Sequence, residues 1–417
     1  MNSGNKGRRV LIIVENLPVP FDRRVWQEAQ SLRAAGYEVS VICPVGRTHK
    51  VRSEQLEGIS ILRHPSPIEA QGPLGYMLEY ANAIFWQTLL TWRVFLTQGF
   101  DIIQGCNPPD NIFLVALPFK LLGKKYIFDQ HDISPEVFEA KFGRRGILHR
   151  ILLFLEWCSF RTADVVVVTN ESFRRIAEER GEVRKDRIYV VRNGPDLQRV
   201  RLLPGNGALR RGKQYLVGYV GVMGKQEGID LLLRVVHNIV HVRGRTDIQF
   251  ALIGDGTELS NMKTYARELK VDECVTFTGY LQGDSLFEIL STADVCVSPD
   301  IPNEMNNKST MVKIMEYMAL GKPIVQFDLV EGRYSAQQAS LYVARSDEVE
   351  FAEKLLFLLD RPDERQRMGQ MGRERVLSDL AWPHQATKLL HAYEAALNGQ
   401  WRGDGHNACT VNNPDHV

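Results

Sequence analysis

Apolar residues fall into short runs separated by amphipathic stretches, and the order is strand then helix along nearly the whole chain. Val10–Val14 is an unbroken apolar run of strand length, residues 22–35 repeat apolar positions at helical spacing up to Gly36, and Val39–Cys43 is apolar again. Strands covered on both faces read as continuous apolar runs, so this opening predicts a βαβ unit. The alternation continues with a strand from Ile102, a helix over 109–122, and strands at Tyr126–Phe128, Asp164–Val168 and Ile188–Val191. It restarts with strands Tyr215–Val220, Gln249–Ile253, Val275–Phe277, Val295–Val297 and Ile324–Gln326, separated by helices near 228–242, 257–269, 284–292 and 309–320. Residues 362–398 read as helical with a break at Pro383. The aromatic-rich helix over 73–98, including Tyr76 and Tyr80, suits either a core or a membrane interface.

Two such blocks in 417 residues exceed one ordinary core. The expected fold class is α/β, with two doubly wound domains in tandem. The first covers 1–196, a polar Gly- and Pro-containing linker covers 197–213, and the second covers 214–379. The polar tail 399–417, with its Arg402-Gly403-Asp404, is expected to be disordered. A net charge of +1 excludes a nucleic-acid binder of the usual basic kind. Residues 1–200 hold 27 Lys/Arg against 22 Asp/Glu, and the remainder 24 against 28. The basic first half suits an anionic acceptor or peripheral contact with the inner membrane. A second basic feature, Arg144, Arg145, His149 and Arg150, lies on a helix with apolar partners. Six scattered cysteines without a CxxC pair suit reduced cytosol, and Cys409 lies in the tail. The N-terminal residues lead into a strand rather than a signal peptide, and no apolar run is long enough to span a bilayer. The expected location is therefore the cytoplasm.

Chemistry is concentrated at two places. From Ser298 to Gln326, a polar loop over Pro299–Lys308 precedes a helix expected to open at Ser309 or Thr310, with either residue as its cap. Free N–H groups and the positive dipole end suit a diphosphate. Lys308 and Lys313 add charge, and Glu316, one to two turns in, sits at the depth to accept two vicinal hydroxyls. The same spacing fits an ordinary surface helix with a Lys–Glu pair. In the first half, FDQHDISPE at 128–136 places two carboxylates and a histidine after a strand's carboxyl end, where open α/β sheets bind ligands. Asp22, Arg23 and Arg24 open the first helix. The turn over 15–21 has no GxGxxG, so a dinucleotide fingerprint is absent.

These pieces, with VVRNGPD at 190–196, VGYVGVMGKQEG at 217–228, IGDGTEL at 253–259, VTFTGYL at 275–281 and MEYMALGKPIV at 315–325, resemble the GT-B glycosyltransferases of family 4. This is the retaining, nucleotide-sugar-dependent group, and the closer likeness is to its bacterial surface-polysaccharide subgroup. The resemblance implies two facing Rossmann-like domains, with the nucleotide sugar on the second, the acceptor on the first, and the segment 380–398 packing back on the first. It gives Glu316 the ribose hydroxyls, as the second glutamate of a Glu-x7-Glu motif whose first position here is Lys308. Basic residues common in the first loop of the second domain are replaced by Val222 and Glu227, and Lys225 and Lys313 are the substitutes. His131 matches a histidine at the reaction centre, with Asp129 or Asp132 bracing it. Asn193 and Gly194 shape the hinge-side wall.

The implied roles are therefore catalytic for His131, Lys225 and Lys313. Donor binding falls to Glu316, Gly221, Gly224, Lys308, Ser309, Thr310 and Met311, and the acceptor side to Asp22, Arg23 and Asp132. No cofactor is expected beyond the nucleotide-diphosphate sugar as co-substrate, with a saccharide or lipid-linked acceptor. The chain contains no Asp-x-Asp, so no essential metal is expected. A front-face mechanism with retention follows from the resemblance alone. Three alternatives stay open: a non-catalytic subunit of a polysaccharide complex, a sugar-nucleotide epimerase, and a tandem-Rossmann oxidoreductase.

Overall fold

The computed structural model describes residues 7–46, 49–65, 72–143, 145–344 and 346–399, with residues 72–80 described by secondary structure alone. Arg144, the side chains of Tyr76 and Tyr80, and the tail from residue 400 with Arg402-Gly403-Asp404 and Cys409 lie outside the described residues. The chain divides into two compact units. One runs to Arg192 and resumes at Gln385, and the other is Asn193–His384.

The first unit contains strands β1 (Arg9–Val14), β2 (Glu38–Pro44), β3 (Ser53–Leu56), β4 (Ile59–His64), β5 (Ile102–Cys106), β6 (Lys125–Gln130), β7 (Val165–Val168) and β8 (Ile188–Val190). They form one sheet in the order β3-β4-β2-β1-β5-β6-β7-β8, parallel except for the edge strand β3. The hairpin β3–β4 has no counterpart in the apolar pattern, because its outer strand is half-exposed SEQL. The helices are α1 (Arg23–Ala34), α2 (Gly72–Thr97), α3 (Phe113–Leu121), α4 (Ser134–Phe142), α5 (Ile147–Thr162) and α6 (Glu171–Glu179). Side chains from α2, α3, α5 and α6 share one core cluster with Leu11, Ile13, Ile103 and Phe128. Side chains alternate across a strand, so Gln104, Cys106 and Asp129 face the opposite side of the sheet. Register places Cys106 beside Asp129. That alternation puts a polar set under α1.

The second unit contains β9 (Tyr215–Val220), β10 (Ile248–Ile253), β11 (Val275–Gly279), β12 (Val295–Ser298), β13 (Ile324–Phe327) and β14 (Ser340–Val343), all parallel, in the order β11-β10-β9-β12-β13-β14. Its helices are α7 (Ile229–His237), α8 (Leu259–Glu268), α9 (Asp284–Thr292), α10 (Glu304–Lys308), α11 (Val312–Ala319), α12 (Val330–Ala336), α13 (Glu348–Leu359) and α14 (Pro362–Arg375). Residues 197–213 do not hang as a linker. Val200 is buried with Leu216 and Leu290, Asn206 N–H donates to Thr292 Oγ1 at 2.9 Å, and Arg210 pairs with Asp294.

The last helix, α15 (Trp382–Asn398), starts after extended Ala381 and contributes its length from Gln385 to the first unit. There Tyr393 meets Tyr37 edge to face at 5.9 Å, and Gln385 Oε1 accepts from Arg192 N–H at 3.1 Å. Among the described residues no helix is long and apolar enough to cross a membrane.

Candidate functional site

In the first unit the site grows from the carboxyl end of β6. Asp129 is fully buried, and its Oδ2 lies 2.6 Å from His131 Nε2. Arg24, from the first turn of α1, pairs with Asp129 Oδ1 at 2.8 Å and with Glu28, one turn on, at 3.0 Å. Gln104 Nε2 donates to Glu28 Oε2 at 2.6 Å and to Asp129 Oδ2 at 3.0 Å. The Tyr393 hydroxyl donates to Gln104 Oε1, so α15 closes the network. Asn107 Oδ1 accepts from the His131 backbone N–H at 2.6 Å and fixes the turn that carries the ring.

Electrostatics follow from burial. Desolvation alone would raise Asp129, but the charges of Arg24 and His131 outweigh it and hold this carboxyl well below the usual range. Burial, reinforced by the Asp129 charge, pushes Glu28 up to about 8. Burial would lower His131, yet Asp129 beside it raises the imidazole above its ordinary value. Near neutral pH the set therefore consists of Arg24 as a cation, Asp129 as the anion and Glu28 as the proton holder, with His131 shifted toward its protonated form. Of the two aspartates proposed as braces, Asp129 touches the ring. The Asp132 carboxyl is raised by burial, and its backbone carbonyl accepts from Asn107. Asp22 caps α1 through Val25 N–H at 3.1 Å, and Arg23 is exposed. Arg24, Glu28, Gln104 and Tyr393 are missing from the sequence-based site. The i,i+4 pair Arg24–Glu28 was the available signal, since both fall on the helix face that the apolar pattern turns inward.

Glu28, Cys106, Asp129 and His131 bring ligand-type atoms within 4.8 Å of one another. Arg24 and Gln104 already occupy those carboxylates, so the charge a cation would supply is present as a guanidinium.

In the second unit the site gathers at the carboxyl ends of β9 and β12. Gly228 (φ +67°) leaves no room for a side chain, because a Cβ there would stand 1.9 Å from Pro299 O. At Gly254 a Cβ would stand 1.8 Å from Gly221 O. These contacts press the 221–228 loop onto its neighbours. Its last turn, Lys225–Glu227, is tied to the 299–306 loop by Asn306 Nδ2, which donates to Gln226 O at 3.1 Å.

The segment before α11 differs from the expectation. Residues 304–308 are helix α10, capped by Asn303 through Asn306 N–H at 2.8 Å. Neither Ser309 nor Thr310 caps α11. Ser309 Oγ is used on Met305 O at 2.8 Å, and α11 starts at Val312 after extended Met311, with no side-chain cap. Lys308 pairs with Glu304 at 3.3 Å on α10. Lys313 is not a free cation. Its Nζ stands 2.8 Å from Asp300 Oδ1, 3.4 Å from Glu227 Oε2 and 4.8 Å from the Tyr219 ring centre. Burial would lower this lysine, but Asp300 and its neighbours hold it well above its ordinary value. Burial pushes Glu227 up to about 7, against the pull of Lys313. Lys225 is exposed, and among the described residues it makes no ion pair. Glu316 is buried on α11, and Arg199, a residue the sequence-based reading passed over, donates Nη2 to its Oε1. Arg199 also lies over the Phe287 ring at 5.4 Å. Gly194 is packed against the Leu380–Trp382 backbone, where a Cβ would meet Leu380 O at 2.3 Å.

One surface hollow of about 570 Å³ opens at the amino ends of β1 and β2, lined by Arg9, Arg33, Glu38 and Gln98 among others. It lies at the wrong end of the sheet for α/β chemistry, which gathers at the carboxyl ends.

Two family models match the chain: "Glycosyltransferase Family 4" over residues 22–199 and "Glycosyl transferases group 1" over 214–361. Glycogen synthase of Mycobacterium tuberculosis is 26% identical over 399 residues, covering 91% of each chain. 2-Deoxystreptamine glucosyltransferase of Streptomyces kanamyceticus is 23% identical, covering 67% of this chain and 72% of that protein. Among solved structures, sucrose-phosphate synthase from Thermosynechococcus elongatus superposes with a TM-score of 0.77 at 18% identity, covering 94% of this chain and all of the other. HepE from Anabaena, solved with UDP and glucose, superposes with a TM-score of 0.71 at 14% identity, covering 93% and 99%.

Proposed function

The chain belongs to the GT-B glycosyltransferases of family 4, and from that premise we propose that it moves a sugar from a nucleoside diphosphate onto a lipid-linked or polysaccharide-precursor hydroxyl, with retention and without an essential metal. Use of a nucleotide sugar is common ground with its relatives; the acceptor class, the stereochemistry and the metal independence are the proposal. The observation that carries it is a buried carboxylate, Glu316, on a helix whose first turn has no side-chain cap. A carboxylate accepts two vicinal ribose hydroxyls, and free first-turn amides receive a diphosphate.

Transfer breaks the bond between the anomeric carbon and the phosphate oxygen, with the electron pair leaving on the diphosphate. The acceptor oxygen bonds to the anomeric carbon on the same face, and its proton passes to the departing phosphate oxygen. Charge that develops on the leaving group is what preorganised donors stabilise most. Lys225 and the α11 amides are assigned that task. Lys313, held by Asp300 and Glu227, is assigned to keeping the 221–228 loop in place. His131, held in place by Asp129 at 2.6 Å, is assigned to the hydroxyls of the transferring sugar.

A donor panel headed by UDP-glucose, with a lipid-linked acceptor extract and excess EDTA, tests the reading. Turnover should persist in EDTA, and NMR of the product should show the donor's anomeric configuration. Complete loss in EDTA, or inversion, removes that part of the proposal. Tight donor binding without transfer to any acceptor would favour a non-catalytic subunit, a reading motivated by Glu227 and Lys308 at positions where the family's motifs carry other charges.

A further inference from the structure

Three neighbouring helices of the first unit bury one apolar face in the core and carry a second apolar stripe outward, and α2 and α5 also bury polar side chains. On α2, Gln87 and Thr91 are fully buried, while Phe85, Leu89, Trp92 and Leu96 are exposed. Those four fall at i, i+4, i+7 and i+11, a single stripe. On α3, Leu114, Leu117 and Leu121 repeat the pattern at i, i+3 and i+7. On α5, Glu156 and Ser159 are buried, while Ile147, Ile151, Phe154 and Trp157 face outward. The helix α3 packs between α2 and α5, so the three stripes lie side by side on one layer. Leu96, Leu121 and Ile147 are 76%, 84% and 79% exposed, values at which a large aliphatic side chain is almost wholly in water.

Among the described side chains of these three helices, exposed charge has one sign. In residues 81–97, 113–121 and 147–162 the only acid is Glu156, which is buried. The exposed charges are Arg93, Arg150 and Arg161, with half-buried Lys124 and Lys125 beside the end of α3, Lys124 standing 4.0 Å from Asp101. Among the described residues Arg93 and Arg150 make no ion pair, and Arg161 reaches only Glu182 at 3.8 Å.

We propose that the outer face of α2, α3 and α5 is a docking surface for an anionic lipid bilayer. Apolar side chains over three helices, with cations at their edges and no exposed acid among their described side chains, match an interface of acyl chains under anionic headgroups. A second copy fits less well. A two-fold contact would set Arg93 and Arg150 against the same cations with no carboxylate to receive them. The inference does not rest on the transfer chemistry, because it uses a different face and different residues.

The test is flotation of the full chain with vesicles of phosphatidylcholine alone, and with about a third phosphatidylglycerol. Wild type should float with the anionic vesicles at least about tenfold more than with the neutral ones, and high salt should reduce the difference. Leu121→Glu and Ile147→Glu should each abolish most of the binding. Both sites are exposed, so the thermal midpoint and the calorimetric titration with UDP-glucose should match wild type. Equal flotation with both vesicle types, or none with either, overturns the proposal. So does a wild-type dimer in sedimentation that these variants dissociate, since that would assign the face to a second copy. Failure of every donor in the panel to bind, with intact flotation, would count against the function proposed above and leave this surface standing.

Discussion

The Asp129 carboxylate accepts from Arg24, Gln104 and His131, and each partner arrives on a different element. A buried anion with three donors fixes the ring it touches, as second partners do in metal and triad sites. Replacing it by a neutral isostere keeps the volume and removes the charge. Asp129→Asn should therefore bring the His131 imidazole down toward the ordinary histidine value of about 6.5. Turnover should fall roughly ten- to hundredfold with donor affinity little changed. Histidine NMR titration and the pH–rate profile check this, and an unmoved profile removes His131 from the reaction. Glu316 gives a parallel case in the second unit. Glu316→Ala should weaken nucleotide-sugar binding by at least about tenfold, the loss of charge-assisted hydrogen bonds worth roughly 1.5–3 kcal/mol each. Calorimetry reads the affinity, and Arg199→Ala controls for the ion pair. If both variants lose only stability and neither loses affinity, Glu316 serves Arg199 and not the donor.

The loop 221–228 and helix α11 are where local sequence and tertiary context part. The strand β9 was legible to the residue, because YLVGYV is an apolar run between polar Lys213-Gln214 and the glycine turn that opens at Gly221. The start of α11 was not. Ser309 and Thr310 are good caps in isolation, but Asn303 nucleates a short helix upstream and Ser309 is used at its end. In the same way Lys313 reads as a free cation until the fold brings in Asp300 from thirteen residues away and Glu227 from a separate loop. The motif singles out Glu316, whereas its partner Arg199 sits in a polar stretch with no periodicity. Glu227 itself makes a testable prediction. Its proton, held by burial up to about 7, is lost as pH rises through that value, and a second negative charge then faces Lys313. Donor affinity should fall by roughly three- to tenfold between about pH 6 and pH 8.5, the scale of one added charge several ångströms away. Glu227→Gln should flatten the dependence. A pH-independent affinity in wild type would place Glu227 outside the donor's field.

At the scale of the molecule, the two units hold their buried acids differently, and that difference should appear as unequal stability in alkali. In the first unit Glu28 and Glu156 are both pushed up to about 8 and Asp110 to about 6, each chiefly by burial. Arg180 explains Glu156 geometrically. One guanidinium serves two carboxylates, Glu136 at 2.9 Å and Glu156 at 2.7 Å, so one of them keeps a proton. A carboxyl whose folded value is raised lends its full stability below the unfolded value, about 4.5, and loses it as pH rises through the folded value. Between those limits the folded state holds a proton that the unfolded state has released. Stability then falls by about 1.4 kcal/mol per pH unit for each such group, before any discount for relaxation. His131, also raised, acts in the same direction. The second unit has Glu227 alone among its carboxyls with a clear upward shift. Calorimetry from pH 6 to 9 should therefore show the transition of the first unit moving down more than that of the second. Glu156→Gln, which keeps a neutral acceptor beside Gln130 and Arg180, should remove much of the slope for the first unit. Equal movement of both transitions, or a Gln variant with the wild-type slope, would mean that Glu156 is ionised in the folded protein and that Arg180 satisfies both acids at once.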